Sequence, residues 1–155
     1  MAWLPESRCD VLIDTHCHLD EPPLAEELDA VLARARGAGV ERVIVPGVRP
    51  AQWTALGAMA EAHAEVAIGV GLHPHCLPEH DDAGVDDACR DLRAGAVSLG
   101  AIAIGECGFD GAVERAGVAL ERQAVIVRAH AEIADELELP LIVHVVGAMG
   151  FALSF

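Results

Sequence analysis

Two histidines separated by one residue follow a short apolar run near the start of the chain. The segment reads Asp14-Thr15-His16-Cys17-His18 and comes after Val11-Leu12-Ile13. Side chains two residues apart on a strand point to the same face, so both imidazoles could bind one cation. Asp14 shares that face and could orient one imidazole through a hydrogen bond. On this motif alone, two unrelated histidines in a surface loop remain the alternative.

A carboxylate and a third histidine repeat this pattern at the ends of two later apolar runs. Glu106 follows Ile102-Ala103-Ile104-Gly105, and His144 follows Leu141-Ile142-Val143. A buried carboxylate without a partner is costly, and a metal ion would satisfy it. Taken singly, Glu106 could be a solvated side chain at a strand end and His144 a core histidine. Together with His16 and His18, they predict a metal site in which Glu106 is the catalytic carboxylate.

The segment His73-Pro74-His75 ends another apolar run and is predicted to bind substrate. Its two imidazoles could contact a substrate phosphate, or one could act as an acid or base near neutral pH. A plain turn is the alternative interpretation. No role is assigned to His63, His80 or His130, and Cys17 and Cys107 are expected to be buried packing residues.

Short β-branched runs alternate with helical stretches along the whole chain, which predicts a parallel sheet covered by helices. The expected strands span residues 11–14, 41–47, 66–72, 101–106 and 140–144, and the expected helices lie near 24–35, 50–63, 85–92 and 114–137. No Gly-x-Gly-x-x-Gly follows the first strand, where a dinucleotide site of an open doubly wound sheet would show it. Metal-binding residue types at several strand ends instead favour a (β/α) barrel of the TIM type.

Composition narrows the class of protein further. The 155 residues are 53% hydrophobic, which suits a single domain over residues 1–155, and charged residues interrupt every apolar run, so no membrane span is expected. The N-terminus lacks a secretory h-region and the five cysteines form no Cys-x-x-Cys pair, so a cytoplasmic protein with reduced thiols is expected. The formal charge of −15 opposes nonspecific binding of nucleic acid.

Taken in order, four segments resemble the successive signatures of TatD-family hydrolases. They are Val11 to Asp20, Gly71 to His75, Ala103 to Asp110 and Leu139 to His144. Members of that family are (β/α)8 barrels that hydrolyse phosphodiesters, notably as metal-dependent deoxyribonucleases. The resemblance implies two divalent ions, with His16 and His18 on the first, Glu106 bridging both, and His144 on the second. Zinc, manganese and magnesium all remain open as the metal.

The sequence also departs from the family pattern. Val146 stands where the family usually carries an arginine, and Val127 and His130 replace a Phe-x-x-Gln pair. The family's metal-ligating histidine on strand six and catalytic aspartate on strand eight have no counterpart before Phe155. The chain is therefore expected to be truncated after about five βα units, with an incomplete second metal site.

Three hypotheses follow from these patterns. The first is a metal-dependent deoxyribonuclease acting on DNA, and the second is an amidohydrolase-like enzyme acting on a small ester, amide or phosphate. The third is a catalytically impaired remnant. In each case the unpaired edges of the first and fifth strands predict self-association.

Overall fold

The computed structural model describes residues 11–79 and 82–155, so that Cys9 and His80 lie outside the described part. Five strands form one parallel sheet in sequential order, which confirms the predicted parallel arrangement. The strands are β1 (Leu12–Asp14), β2 (Val40–Pro46), β3 (Val66–Val70), β4 (Ala103–Asp110) and β5 (Leu141–Val146).

Helices connect consecutive strands, as a parallel sheet requires. The connecting helices are α1 (Leu28–Gly37), α2 (Pro50–Ala62), α3 (Asp82–Ser98) and, both between β4 and β5, α4 (Gly111–Arg115) and α5 (Leu120–Leu137). A short helix, α6 (Met149–Ala152), follows β5. Short 3-10 turns at Ala25–Glu27 and Pro74–Glu79 precede α1 and α3. Within the described residues, no helix combines the length and apolarity needed to cross a bilayer.

The two faces of the sheet differ in burial. One face packs Val45, Ile68 and Ile104 against Leu32 of α1 and Leu56 of α2, and all five are almost fully buried. The opposite face is open, with Ile13, Ile44 and Ile102 lining a shallow cavity. We call these three residues the open face. The core therefore lies between the sheet and its helices.

The single helix predicted over residues 114–137 is wrong, because the structure divides this segment into α4 and α5. Ala116 closes α4 by donating its backbone N–H to the Ala112 carbonyl. Gly117 then adopts a φ of +109°, a left-handed conformation that a helix cannot continue through. The Gln123 side chain donates to the Val118 carbonyl and holds the turn. The apolar periodicity correctly indicates α5, but it does not extend across the turn at residues 116–119.

Two other boundaries differ in ways that matter for the site. Strand β4 was expected to end at Glu106, but it continues to Asp110, since Gly108 and Asp110 still pair with His144 and Val146 of β5. Helix α3 runs over Asp82–Ser98, well beyond the short helix expected near residues 85–92. The longer β4 brings Asp110 alongside β5.

Candidate metal centre

Histidines and carboxylates from four strands converge at one end of the sheet. His16 and His18 follow β1, His73 follows β3, and Glu106 and His144 lie within β4 and β5. They line a cavity of about 400 Å³ together with His75. The parallel strands all end at this edge, which explains why residues so distant in sequence meet there.

Glu106 stands at the middle of this group and is 4% exposed. Its Oε2 lies 3.2 Å from His16 Nε2 and 3.5 Å from His18 Nε2. Its Oε1 lies 3.2 Å from His144 Nδ1 and 3.7 Å from His73 Nε2. Each carboxylate oxygen therefore faces its own pair of imidazoles. We call these five residues the Glu106 cluster.

A second carboxylate, Asp110, lies behind His144. Its Oδ2 is 2.9 Å from His144 Nε2 and 3.0 Å from His75 Nε2. Its Oδ1 accepts hydrogen bonds from the backbone N–H groups of Ala112 (2.6 Å) and Val113 (3.1 Å), so Asp110 also caps α4. Both carboxylate oxygens are thus occupied.

Asp110 belongs to the family signature that runs from Ala103 to Asp110, but the sequence alone predicts no function for it. Its spacing of four from Glu106 on one strand was a usable signal, since an even spacing puts two side chains on the same face. The signal was lost because β4 was expected to end at Glu106. In the structure Asp110 is 2% exposed and contacts His75 and His144, two of the predicted site histidines.

The electrostatics of the site follow from burial and from these contacts. Burial, with His144 and His75 nearby, lowers the pKa of His73 to about 3, so this imidazole is neutral at neutral pH. The pKa of Asp110 lies below its usual range. Burial alone would raise this pKa, but the hydrogen bonds from His144, Val113 and Ala112 stabilise the carboxylate and outweigh that effect. Burial, followed by the charge of Glu106, raises the pKa of Cys107 to about 12.

The remaining predicted residues occupy supporting positions. Asp14, which was expected to orient an imidazole, accepts a hydrogen bond from the backbone N–H of His16 through Oδ1, with an N···O distance of 3.1 Å, and its predicted role stays a prediction. Cys107 is fully buried as predicted, whereas Cys17 is half-buried against the core. His63 lies away from the cluster, where its Nδ1 is 3.9 Å from Asp29.

His130, which was given no role, is a buried structural residue. Its Nδ1–H donates to the Ile126 carbonyl at 2.8 Å, and its Nε2 accepts from the backbone N–H of Leu72 at 3.0 Å. Leu72 immediately precedes His73, so His130 fixes the end of β3 from the helix side. Burial lowers the pKa of His130 to about 4, which keeps the ring neutral and able to accept this bond.

The donor set suits divalent ions. Three groups bring their ligand atoms within 4.8 Å of one another, namely His16, His18 and Glu106; His73, Glu106 and His144; and His75, Asp110 and His144. A buried carboxylate needs a partner of opposite charge, and a cation between these atoms would supply one to Glu106. Imidazole nitrogen with carboxylate oxygen is the ligand set of zinc and of related divalent metals.

The parallel half-barrel, with histidines and carboxylates at one end of its sheet, is typical of metal-binding proteins of the parallel-barrel class. Comparison with known proteins gives the family. The family model described as "TatD related DNase" matches residues 13–154, and the chain belongs to that family. The resemblance inferred from the sequence motifs is thereby confirmed.

Individual relatives agree with this assignment. The chain is 33% identical over 132 residues to the uncharacterized metal-dependent hydrolase YjjV of Escherichia coli, covering 85% of this chain and 49% of that protein. It is 31% identical over 134 residues to the 3'-5' ssDNA/RNA exonuclease TatD of a Pantoea species, covering 86% and 49%. The chain therefore spans about half the length of the curated relatives it matches.

Solved structures confirm the fold. The crystal structure of Escherichia coli YjjV superimposes with a TM-score of 0.74 at 30% identity, over 90% of this chain and 52% of that one. A TatD-family hydrolase from Entamoeba histolytica gives the same TM-score at 19% identity, which supports the fold alone. The five strands thus form a half-barrel of the TIM type, as the strand-end motifs predicted.

Proposed function

We propose that the chain contributes four metal ligands to a two-metal site that hydrolyses phosphodiester bonds of DNA. The observation that carries this proposal is the geometry of Glu106, whose Oε2 faces His16 and His18 while Oε1 faces His144. A carboxylate placed in this way can bridge two ions. The exonuclease named TatD among the relatives supports a nucleic-acid substrate.

Each residue has a distinct task under this proposal. His16 and His18 would hold the first ion, His144 the second, and Glu106 both. Divalent ions held in such a site polarise a phosphodiester and lower the pKa of a bound water to near neutrality. Zinc, manganese and magnesium fit the donors, and the ligands of the second ion are the less complete set within this chain.

His73 and His75 are proposed to bind the substrate at the mouth of the cavity. His75 is the more accessible, with 60% of its side chain exposed, and its Nε2 is tied to Asp110. His73 is buried and neutral, so it would offer a hydrogen bond to a phosphate oxygen instead of a charge. Both rings lie beside the Glu106 cluster.

The chain's charge favours a second candidate, hydrolysis of a small phosphoester. A formal charge of −15 repels a polyanion along its whole length, whereas a small substrate meets only the local field of the site. The structure joins no two of the described cysteines in a disulfide, which supports a cytoplasmic location for either activity.

Metal content and nuclease activity of the purified chain test this proposal. We expect a divalent ion to bind, and we expect the 155-residue chain to cleave single-stranded DNA much more slowly than a full-length relative. Glu106→Ala should abolish both binding and cleavage, while Glu121→Gln, an exposed glutamate on α5, should leave both unchanged. A chain that takes up neither zinc nor manganese would contradict the proposal. Cleavage of a small phosphodiester but not of DNA would favour the second candidate.

A further inference from the structure

We propose that Asp110 is a positioning residue that fixes the tautomer and orientation of His144, so that Nδ1 presents its lone pair to the metal side of the cluster. This inference rests on the proposed metal site. It starts from the two nitrogens of His144, which face different carboxylates: Nδ1 lies 3.2 Å from Glu106 Oε1, and Nε2 lies 2.9 Å from Asp110 Oδ2.

The direction of the hydrogen bond to Asp110 determines which nitrogen of His144 is available. Both carboxylates are acceptors only, so a neutral His144 ring can donate its single hydrogen to Asp110 or to Glu106. The contact with Asp110 is the shorter one, at 2.9 Å against 3.2 Å, and Glu106 has three other imidazoles beside it, so we assign the hydrogen to Nε2. In the neutral ring Nδ1 then has no hydrogen, and its lone pair points at Glu106. Metal-bound histidines commonly donate their other ring N–H to a carboxylate in this way, which fixes the ring and raises its basicity.

Asp110 is itself held in place from two directions. Its Oδ1 is committed to the backbone N–H groups of Ala112 and Val113 at the start of α4. Gln123 clamps the backbone of Asp110, with Oε1 accepting from the Asp110 N–H at 2.7 Å and Nε2 donating to the Asp110 carbonyl at 3.2 Å. The carboxylate therefore cannot turn away from His144 without breaking the cap.

The trio of His75, Asp110 and His144 could in principle bind a cation of its own, since its ligand atoms also lie close together. A positioning role is favoured because Nδ1 faces the more buried of the two groups that contain His144, the one with His73 and Glu106. If Nε2 served the metal, the Nδ1 contact with Glu106 would stand outside the site. The two interpretations differ in which nitrogen keeps its hydrogen when metal binds.

The helix cap makes Asp110→Asn a tautomer switch. Because the N–H groups of Ala112 and Val113 require an acceptor, the asparagine oxygen must take the position of Oδ1. Its NH2 group then faces His144 Nε2 and donates to it. His144 would carry its hydrogen on Nδ1, which blocks the lone pair that faces Glu106.

Two measurements test this on the full chain with zinc alone as the probe. Nitrogen-15 NMR of histidine-labelled, metal-free protein, recorded at rising pH until the spectrum shows one hydrogen on the His144 ring, should give the Nε2–H tautomer. In Asp110→Asn it should be the Nδ1–H tautomer. Zinc affinity, measured by competition with a chromogenic chelator, should fall about 10- to 100-fold. Asp87→Asn, which removes an exposed carboxylate paired with Arg90, should change neither.

The outcomes separate the inference from the proposed function. An Nδ1–H tautomer in the unaltered protein, or equal zinc affinity in Asp110→Asn, would overturn the positioning role, and loss of the Nε2 hydrogen on zinc binding would replace it with a metal site at the trio. A tautomer switch in a chain that binds no zinc would support the positioning role and contradict the proposed function. The measurement on the unaltered protein stands even if Asp110→Asn fails to fold.

Discussion

The two sides of the Glu106 cluster are built differently. On the β1 side, His16 and His18 follow a three-residue strand whose side chains are all exposed, and 42% and 36% of their own side chains are accessible. On the β4–β5 side, every residue of β4 is buried, and 16% of the His144 side chain is accessible. Packing thus holds the β4–β5 side of the site more closely than the β1 side, where backbone hydrogen bonds at His16 and Cys17 and the buried Leu19 position two partly exposed rings.

The largest effect should come from disturbing the contact between β4 and β5. A Cβ at Gly108 would lie 2.0 Å from the His144 carbonyl oxygen and 2.7 Å from its backbone nitrogen, where φ is +149°. Gly108→Ala should therefore lower the free energy of unfolding by about 3 kcal/mol or more. Chemical denaturation of the metal-free protein measures this directly.

Gly117→Ala is the matched control, because Gly117 has a φ of +109° but open space where a Cβ would stand. It should cost only about 1 kcal/mol from backbone strain. Equal losses for the two variants would show that the β4–β5 contact tolerates more adjustment than the comparison implies.

Acid should weaken the buried side through His130. Its pKa is about 4 in the folded protein and about 6.5 when unfolded, so between these values the unfolded chain binds more protons. The contribution is complete above about pH 6.5 and is lost as the pH falls towards 4, a change of about 3 kcal/mol. His73 acts in the same direction, since its pKa is lowered to about 3.

His130→Gln isolates this effect, because a glutamine, which the family usually carries here, can still accept the Leu72 N–H without titrating. Denaturation of the metal-free protein at several pH values should show a shallower loss of stability below pH 6.5 in the variant, with the His73 contribution left in place. Parallel curves for both proteins would mean that His130 does not titrate on unfolding.

Removing one histidine from each side compares them most directly. His144→Ala leaves the buried Glu106 and Asp110 carboxylates each short of a partner, so the metal-free protein should lose about 2 kcal/mol of stability. His16→Ala removes a partner of Glu106 only, and its ring is 42% exposed, so it should cost less, about 1 kcal/mol. Thermal melts in the presence of a chelator test both, and similar losses would remove the distinction between the two sides.

Residues on both sides of the cluster can be singled out from the sequence, and the roles proposed for them stay predictions. His16, His18, Glu106 and His144 were identifiable because each ends an apolar run, a pattern that is local along the chain. Asp110 has one local signal, its even spacing from Glu106, but its place beside His144 depends on β5 lying beside β4 and on Gln123 reaching back from α5, which no local pattern shows. The division between α4 and α5 was not predicted, because it depends on the left-handed conformation of Gly117. The spacing of apolar residues does not show the conformation of a single glycine.

The smallest expected effect concerns the open face of the sheet, which includes Ile13 of β1 and so adjoins the exposed side of the Glu106 cluster. Among the described residues, β1 and β5 each pair on one side only, and the apolar side chains of Ile13 and Ile102 are 55% and 42% exposed. Unpaired edges and contiguous apolar surface favour association. The charge of −15 opposes it, and salt shortens the range of that repulsion from about 10 Å at 0.1 M to about 3 Å at 1 M. We therefore predict that the mean mass measured by light scattering rises with ionic strength.

A lysine on the open face tests whether this surface is responsible. Ile102→Lys should weaken association by about 1 kcal/mol, because a half-exposed isoleucine loses only part of its burial energy and the added charge must stay in water. Val125→Lys makes the same change in charge at a 59% exposed position on α5, away from the sheet, and should leave association unchanged. If both lysines weaken association equally, net charge governs association and the open face does not.

The unaltered chain could also contradict the prediction. If it stays a monodisperse monomer at all salt concentrations and melts cooperatively, the five strands are stable without a partner. The exposed apolar residues of the open face would then contribute no more to association than other exposed side chains.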